Sequence, residues 1–274
     1  MLYYYANTGH KLGLERLRRG VALLNKLSSK GEETQLLVND FRAGLVARDL
    51  GATSYVTIET VQDIDAIAEA GNSIIIDSVE DDHGRLVKYC ADFKQVWRFA
   101  HDEKDSSVHN EIVIDMNTIL VDDRYFEEKS KEDRVLFFLG DADYDKIILN
   151  NTDFFKQFDM ELLLGNYFFV KYEDDLAKLF STLHEPEEYE DLITTSSIVV
   201  TASSQTALEA KASGAHVIYL NINKDTILKE SLLSSYGVSI VNGFDSDSLT
   251  EALQNNASKI DKKIEKIEDK ILLS

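Results

Sequence analysis

The chain has 274 residues, 44% hydrophobic and 28% charged, with a formal net charge of −20 and an isoelectric point near 4.6. That length fits about two domains with substantial cores, and the acidic field argues against nucleic acid or an anionic membrane surface as the main partner. One cysteine, Cys90, excludes an intrachain disulfide and fits a reducing compartment.

The elements alternate along the chain. LYYYA (2–6) reads as a buried strand. Residues 14–29 place apolar side chains at 14, 17, 21, 24 and 27, which is helical spacing. TQLLVN (34–39) is the next strand, and FRAGLVARDLG (41–51) is a helix closed by Gly51. SYVTIE, a helix near 60–70, SIIIDS (73–78), a helical LVKYCADF, QVWRFAHD (95–102) and EIVIDM (111–116) continue the series. A second series starts with RVLFFLGDAD (134–143), followed by the apolar runs MELLLG and YFFVKY. Residues 196–226 then read strand, small-residue turn, helix, strand, and GVSIVNG is a last strand. Strand–helix alternation implies parallel sheets covered on both faces. The expected division is 1–125 and 134–274. The tail spaces Ile260, Ile264, Ile267 and Ile271 as on one helical face, predicting a helix that packs on its own domain or forms a weak homodimer. No apolar run approaches the roughly 18 residues of a membrane span. The N-terminus lacks a signal-peptide pattern, so a cytoplasmic protein is expected.

Ligands of open parallel sheets bind at the carboxyl ends of the strands, so the polar turns there are the candidate sites. The first, NTGHKLGLER, carries Asn7, Gly9, His10, Gly13, Glu15 and Arg16, followed by Arg19. Lys11, Arg16, Arg18 and Arg19 are the densest basic run of an acidic chain. They mark either a local anion pocket or a solvated helix face. Asp77 follows the SIII run, and Asp141 and Asp143 sit in the GDAD turn. In TASSQTALE, the small hydroxyl residues Ser203, Ser204 and Thr206, with Gln205, open a helix. They can cap it, or let backbone N–H groups approach a diphosphate. Glu209, one turn on, can accept hydrogen bonds from ribose hydroxyls. The adjacent Asp81, Asp82 and His83 point different ways along the chain, and no spacing of a metal site is present, so neither metal nor cofactor is expected.

Taken in order, LYYYANTGHKLGLERLRR, IIIDS, ILVDDRYFEE, LFFLGDAD and IVVTASSQTALEAKASGAHVIYLNINKD resemble the UDP-sugar hydrolases of the pseudaminic-acid pathway. Those enzymes are similar to the MurG-type glycosyltransferases of the GT-B fold. The resemblance implies two Rossmann-like domains with parallel sheets facing a cleft, a sugar or acceptor side first, a UDP side second, and a UDP-sugar as the small-molecule partner. It also places Asn223 near sugar or phosphate. The family's first turn reads Gly-x-Gly-His-x-x-Arg, with the histidine activating water. Aligned on Gly13 and Arg19, the second glycine here is Glu15 and the histidine is Arg16. An arginine stays protonated and cannot be a general base. His10, from the same loop, and more weakly Glu15, are the remaining base candidates. The resemblance implies a UDP-sugar hydrolase of cell-surface or flagellar glycan metabolism that releases UDP, and this is the expected function; the alternatives are a GT-B glycosyltransferase and a non-catalytic binding or assembly relative.

Overall fold

The computed structural model describes residues 1–168, 170–222, 227–255 and 262–267. The chain divides into two compact units, the first Met1–Asp122, the second beginning at Asp123.

The first unit runs β1 (Leu2–Ala6), α1 (Glu15–Ser28), β2 (Thr34–Val38), α2 (Phe41–Asp49), β3 (Tyr55–Thr57), α3 (Ile64–Ile67), β4 (Ser73–Asp77), α4 (Arg85–Asp92), β5 (Gln95–Phe99) and β6 (Ile112–Ile114). The six strands form one parallel sheet in the order β3-β2-β1-β4-β5-β6. This is the Rossmann order, whose direction switches between β1 and β4. The strand sequences are apolar almost throughout because both faces of a parallel sheet are covered. Tyr3, Tyr5, Leu37, Ile74 and Ile76 supply one face, packed against Val61, Ile64, Leu86, Tyr89 and Phe93. Leu17, Val21 and Leu24 of α1 are also buried. Helix starts follow local chemistry: Asp40 caps α2 by accepting from the Arg42 amide at 2.9 Å. The helix expected near 60–70 is a 3-10 turn, Val61–Asp63, running into the single turn α3.

The second unit runs β7 (Glu132–Phe138), α5 (Ile147–Asn150), α6 (Thr152–Phe155), β8 (Glu161–Leu163), α7 (Glu173–Leu176), β9 (Thr182–His184), α8 (Tyr189–Thr195), β10 (Ser196–Thr201), α9 (Ser204–Ala212), β11 (His216–Asn221), α10 (Glu230–Ser235), β12 (Ser239–Asn242) and α11 (Ser246–Gln254). Its parallel sheet, β12-β11-β10-β7-β8-β9, repeats the same topology, with the switch between β7 and β10. One face is built around phenylalanines: Phe137 stacks on Phe180 at 5.7 Å and tilts against Phe155 at 5.0 Å.

Two stretches depart from their sequence patterns. The described residues of the run YFFVKY form no strand: Tyr167 is buried in a loop, and Val170–Tyr172 is a 3-10 turn. The tail expectation is corrected where it is described. Residues 262–267 are not helical, although Ile264 and Ile267 are both buried. Lys262 lies over the Tyr236 ring and Lys266 over Phe126, so an irregular segment docks its apolar side chains without a helix. Ile260 and Ile271 lie outside the described residues.

Candidate functional site

Each unit has a polar cluster at its switch point. In the first unit, the turn after β1 closes on itself: the Gly9 carbonyl accepts from the Leu12 amide at 3.1 Å and the Gly13 amide at 2.8 Å. Gly9 (φ 147°) and Gly13 (φ 69°) adopt backbone angles that disfavour side chains. His10 is exposed on this turn, and Glu15 opens α1, whose N-cap, Leu14, supplies no side-chain hydrogen bond. The Asn7 amide donates to the Asp77 carbonyl at 2.9 Å, tying the ends of β1 and β4 together, and the Asn7 side chain is buried.

Arg19 and Asp77 do not reach outward. Arg19 Nε and Nη2 donate to the two Asp77 oxygens, each at 2.6 Å, and Tyr4 OH donates to Asp77 Oδ2 at 2.7 Å. The guanidinium stacks 3.8 Å over Phe99. Both partners are almost wholly buried. Burial disfavours the Arg19 charge, but the adjacent Asp77 carboxylate overcomes this and holds the pKa above its ordinary value. Burial, then the same carboxylate, push the Tyr4 hydroxyl well up. Arg16 Nε lies 3.6 Å from Asp77 Oδ1. The pair therefore anchors α1 to β4 beneath the turn, and Arg16 rests against the same carboxylate.

In the second unit, the turn after β7 places Asp141 in a buried position, where it accepts from Asn166 Nδ2 at 3.0 Å. Its carbonyl accepts from the Tyr167 amide at 2.8 Å. Gly165 permits this approach: a Cβ there would lie 2.5 Å from the Gly140 oxygen and the Asp141 carbonyl carbon. Asp143 accepts from the Ile147 amide at 2.5 Å and so caps α5; burial raises its pKa.

The β10–α9 turn is the denser cluster. Ser203, Ser204, Gln205, Thr206 and Glu209 are all buried. Ser203 caps α9, its Oγ accepting from the Thr206 amide at 3.1 Å and from Thr206 Oγ1 at 2.8 Å. Tyr189 OH donates to Glu209 Oε2 at 2.6 Å and lies 2.8 Å from Thr206 Oγ1. Gln205 Nε2 donates to Glu209 Oε1 at 2.9 Å. Ser203, Gln205, Thr206 and Glu209 are thus joined into one network through Tyr189. Asn223 lies outside the described residues. Among the described residues, no group of three or more His, Cys, Asp or Glu is gathered as for a metal, and no helix is long and apolar enough to cross a membrane.

Sequence reading missed Tyr4 and Tyr189. Three consecutive tyrosines in a buried strand were a signal, because a buried phenol needs a hydrogen-bond partner. Tyr189 gave none, since its partners are 17 and 20 residues away.

No protein-family model matches the chain, and no curated protein matches it in sequence. Solved structures do. The chain is similar to the UDP-GlcNAc 2-epimerase of Methanocaldococcus jannaschii in complex with UDP-GlcNAc and UDP, with TM-score 0.58 and 10% identity over 96% of this chain and 94% of that one. It is similar to a glycosyltransferase from Rickettsia africae ESF-5, with TM-score 0.59 and 9% identity over 93% and 87%. A third is the UDP-GlcNAc 2-epimerase of Neisseria meningitidis bound to UDP-GlcNAc, with TM-score 0.52 and 11% identity over 93% and 91%. The chain has the fold expected from its sequence, the α/β GT-B fold of two Rossmann-like domains.

Proposed function

We propose that this protein binds a UDP-sugar and transfers its glycosyl group to an acceptor, as a GT-B glycosyltransferase does. The observation that carries this reading is the buried Ser203–Thr206–Tyr189–Glu209–Gln205 network at the second unit's switch point. In this reading the diphosphate meets the N-terminus of α9, with Ser203, Ser204, Gln205 and Thr206 around it, and Glu209 receives the ribose. Asp141, in the turn after the neighbouring strand β7, borders the same side, and Asn223 is assigned to sugar or phosphate by the family resemblance alone. The first unit takes the sugar and acceptor, with Asn7, Gly9, Gly13 and Arg16 as its substrate residues; the second unit takes UDP. Arg19 and Asp77 hold the first turn in place and do not touch substrate. Neighbours that bind UDP-GlcNAc or are glycosyltransferases support this reading.

A second reading, hydrolysis of the UDP-sugar as in the pseudaminic-acid enzymes, requires a base from His10 or Glu15. The position of that family's histidine is Arg16, drawn to Asp77. This disfavours hydrolysis, and it also motivates the alternative of a relative that binds without turnover.

Calorimetric titration with UDP, and with UMP as control, tests the nucleotide site. Micromolar UDP binding lost in Glu209→Ala supports the assignment; no binding at millimolar UDP overturns it. If UDP binds, UDP release from UDP-sugars with and without hydroxyl acceptors separates transfer from hydrolysis. Turnover abolished in His10→Ala with UDP binding intact overturns the non-catalytic reading.

A further inference from the structure

We infer that Glu80, with Asn7 beside it, forms a subsite of the first unit that takes the ammonium group of an amine-bearing ligand such as an amino sugar. Naming that ligand the acceptor rests on the transferase reading; the preference for an ammonium does not.

The two faces of the first switch point differ. Side chains alternate along a strand, so Tyr4 meets Asp77 and Arg19 on one face, while Tyr5 and Asn7 share the other. On that second face, Tyr5 OH donates to Glu80 Oε2 at 2.5 Å. Ser78 Oγ donates to the same oxygen at 2.9 Å and the Val61 amide at 3.3 Å. Three donors therefore converge on Oε2, and among the described residues none reaches Oε1. Burial, then Glu80, push the Tyr5 hydroxyl up, so the phenol keeps its proton and the charge of this corner belongs to the carboxylate. Asn7 hydrogen-bonds the same hydroxyl, is 4% exposed, and has its Oδ1 buried with no hydrogen-bond partner.

The charge is also unmatched. Glu80 forms no ion pair among the described residues, and Asp63 adds to the negative field at Tyr5. The cations of the neighbouring α4 are paired elsewhere. Arg85 and Lys88 lie 3.4 and 2.8 Å from Asp65, and Lys88 lies 2.6 Å from Asp92. His83 faces Asp81. Both unpartnered atoms are acceptors, and Glu80 is only half-buried, which gives a ligand access. A hydroxyl brings one donor and no charge. An ammonium brings three donors and cancels the carboxylate. A ligand phosphate or carboxylate would be repelled here.

Titration of the intact chain with glucosamine at pH 6 and constant ionic strength, with N-acetylglucosamine as the neutral control, tests this. Glucosamine is expected to bind about 10-fold more tightly than the control, the lower end for one charge-assisted hydrogen bond. Glu80→Gln keeps an oxygen for Tyr5, Ser78 and Val61 but loses the charge, and is expected to abolish that preference. Asn7→Ser is expected to weaken glucosamine binding about 5-fold, as for one neutral hydrogen bond. No glucosamine binding at millimolar concentration, equal affinity for the two sugars, or an unchanged preference in Glu80→Gln overturns the subsite. If circular dichroism shows Glu80→Gln unfolded, the wild-type preference and Asn7→Ser decide. Glucosamine binding without UDP binding overturns the acceptor role together with the nucleotide reading, and the ammonium site stands.

Discussion

Replacing Asp77 with leucine removes the one carboxylate that serves three buried donors: Arg19 Nε, Arg19 Nη2 and Tyr4 OH. The side chains of Arg19 and Asp77 are 4% and 2% exposed, so water cannot take its place. Breaking a buried pair from one side costs about 3–5 kcal/mol, because the remaining charge is left unpaired. Domains are typically stable by about 5–15 kcal/mol, so the substitution brings the first unit close to unfolding. The assay has a natural reporter. Trp97 is the only tryptophan, buried on β5 in register with Ile75 of β4. Urea denaturation followed by its fluorescence reports this unit selectively. Asp77→Leu is expected to lower the midpoint sharply. Arg19→Met added to it is expected to recover most of the loss, because an apolar pair of similar volume often matches a buried ion pair. Tyr4→Phe alone is expected to cost about 1 kcal/mol. A loss below about 1 kcal/mol in Asp77→Leu, or no recovery in the double variant, would refute the reasoning that this is a closed structural pair.

Two further predictions concern loops. Gly165→Ala drives a Cβ into the backbone of the Gly140–Asp141 turn and is expected to destabilise the second unit by about 1–3 kcal/mol; calorimetric melting checks it, and an unchanged Tm would contradict the close approach. Asp105 is clamped by Arg98, at 2.6 and 2.8 Å, and that bond holds its pKa down at about 2. The folded value lies below the unfolded one, near 3.9, so the contribution is complete above the unfolded value and is lost as pH falls toward 2. The stability gap between wild type and Asp105→Asn, read by Trp97 fluorescence, should therefore shrink from pH 6 to pH 2.5. A gap that does not change with pH would assign the effect to something other than the Asp105 charge.

The sequence by itself determined the strands that are apolar on both faces, such as LYYYA, SIIID and SIVVT, because a parallel strand covered on two sides leaves its signature within five or six consecutive residues. It also determined the helix start at Ser203, where a hydroxyl caps an amide three positions on, and so the class of fold that alternating units require. The run YFFVKY and the tail isoleucines show the limit of such patterns. Tyr167, Ile264 and Ile267 are buried there without strand or helix, because burial needs no regular backbone. Only the tertiary structure decided what the polar residues do. Arg19 and Asp77, 58 residues apart, cancel each other beneath the first turn instead of facing a ligand. Glu209 is oriented by a tyrosine 20 residues upstream on another helix. A charge or hydroxyl is defined by which partner lies within 3 Å of it, and in a parallel sheet the crossover connections, not the local sequence, choose that partner.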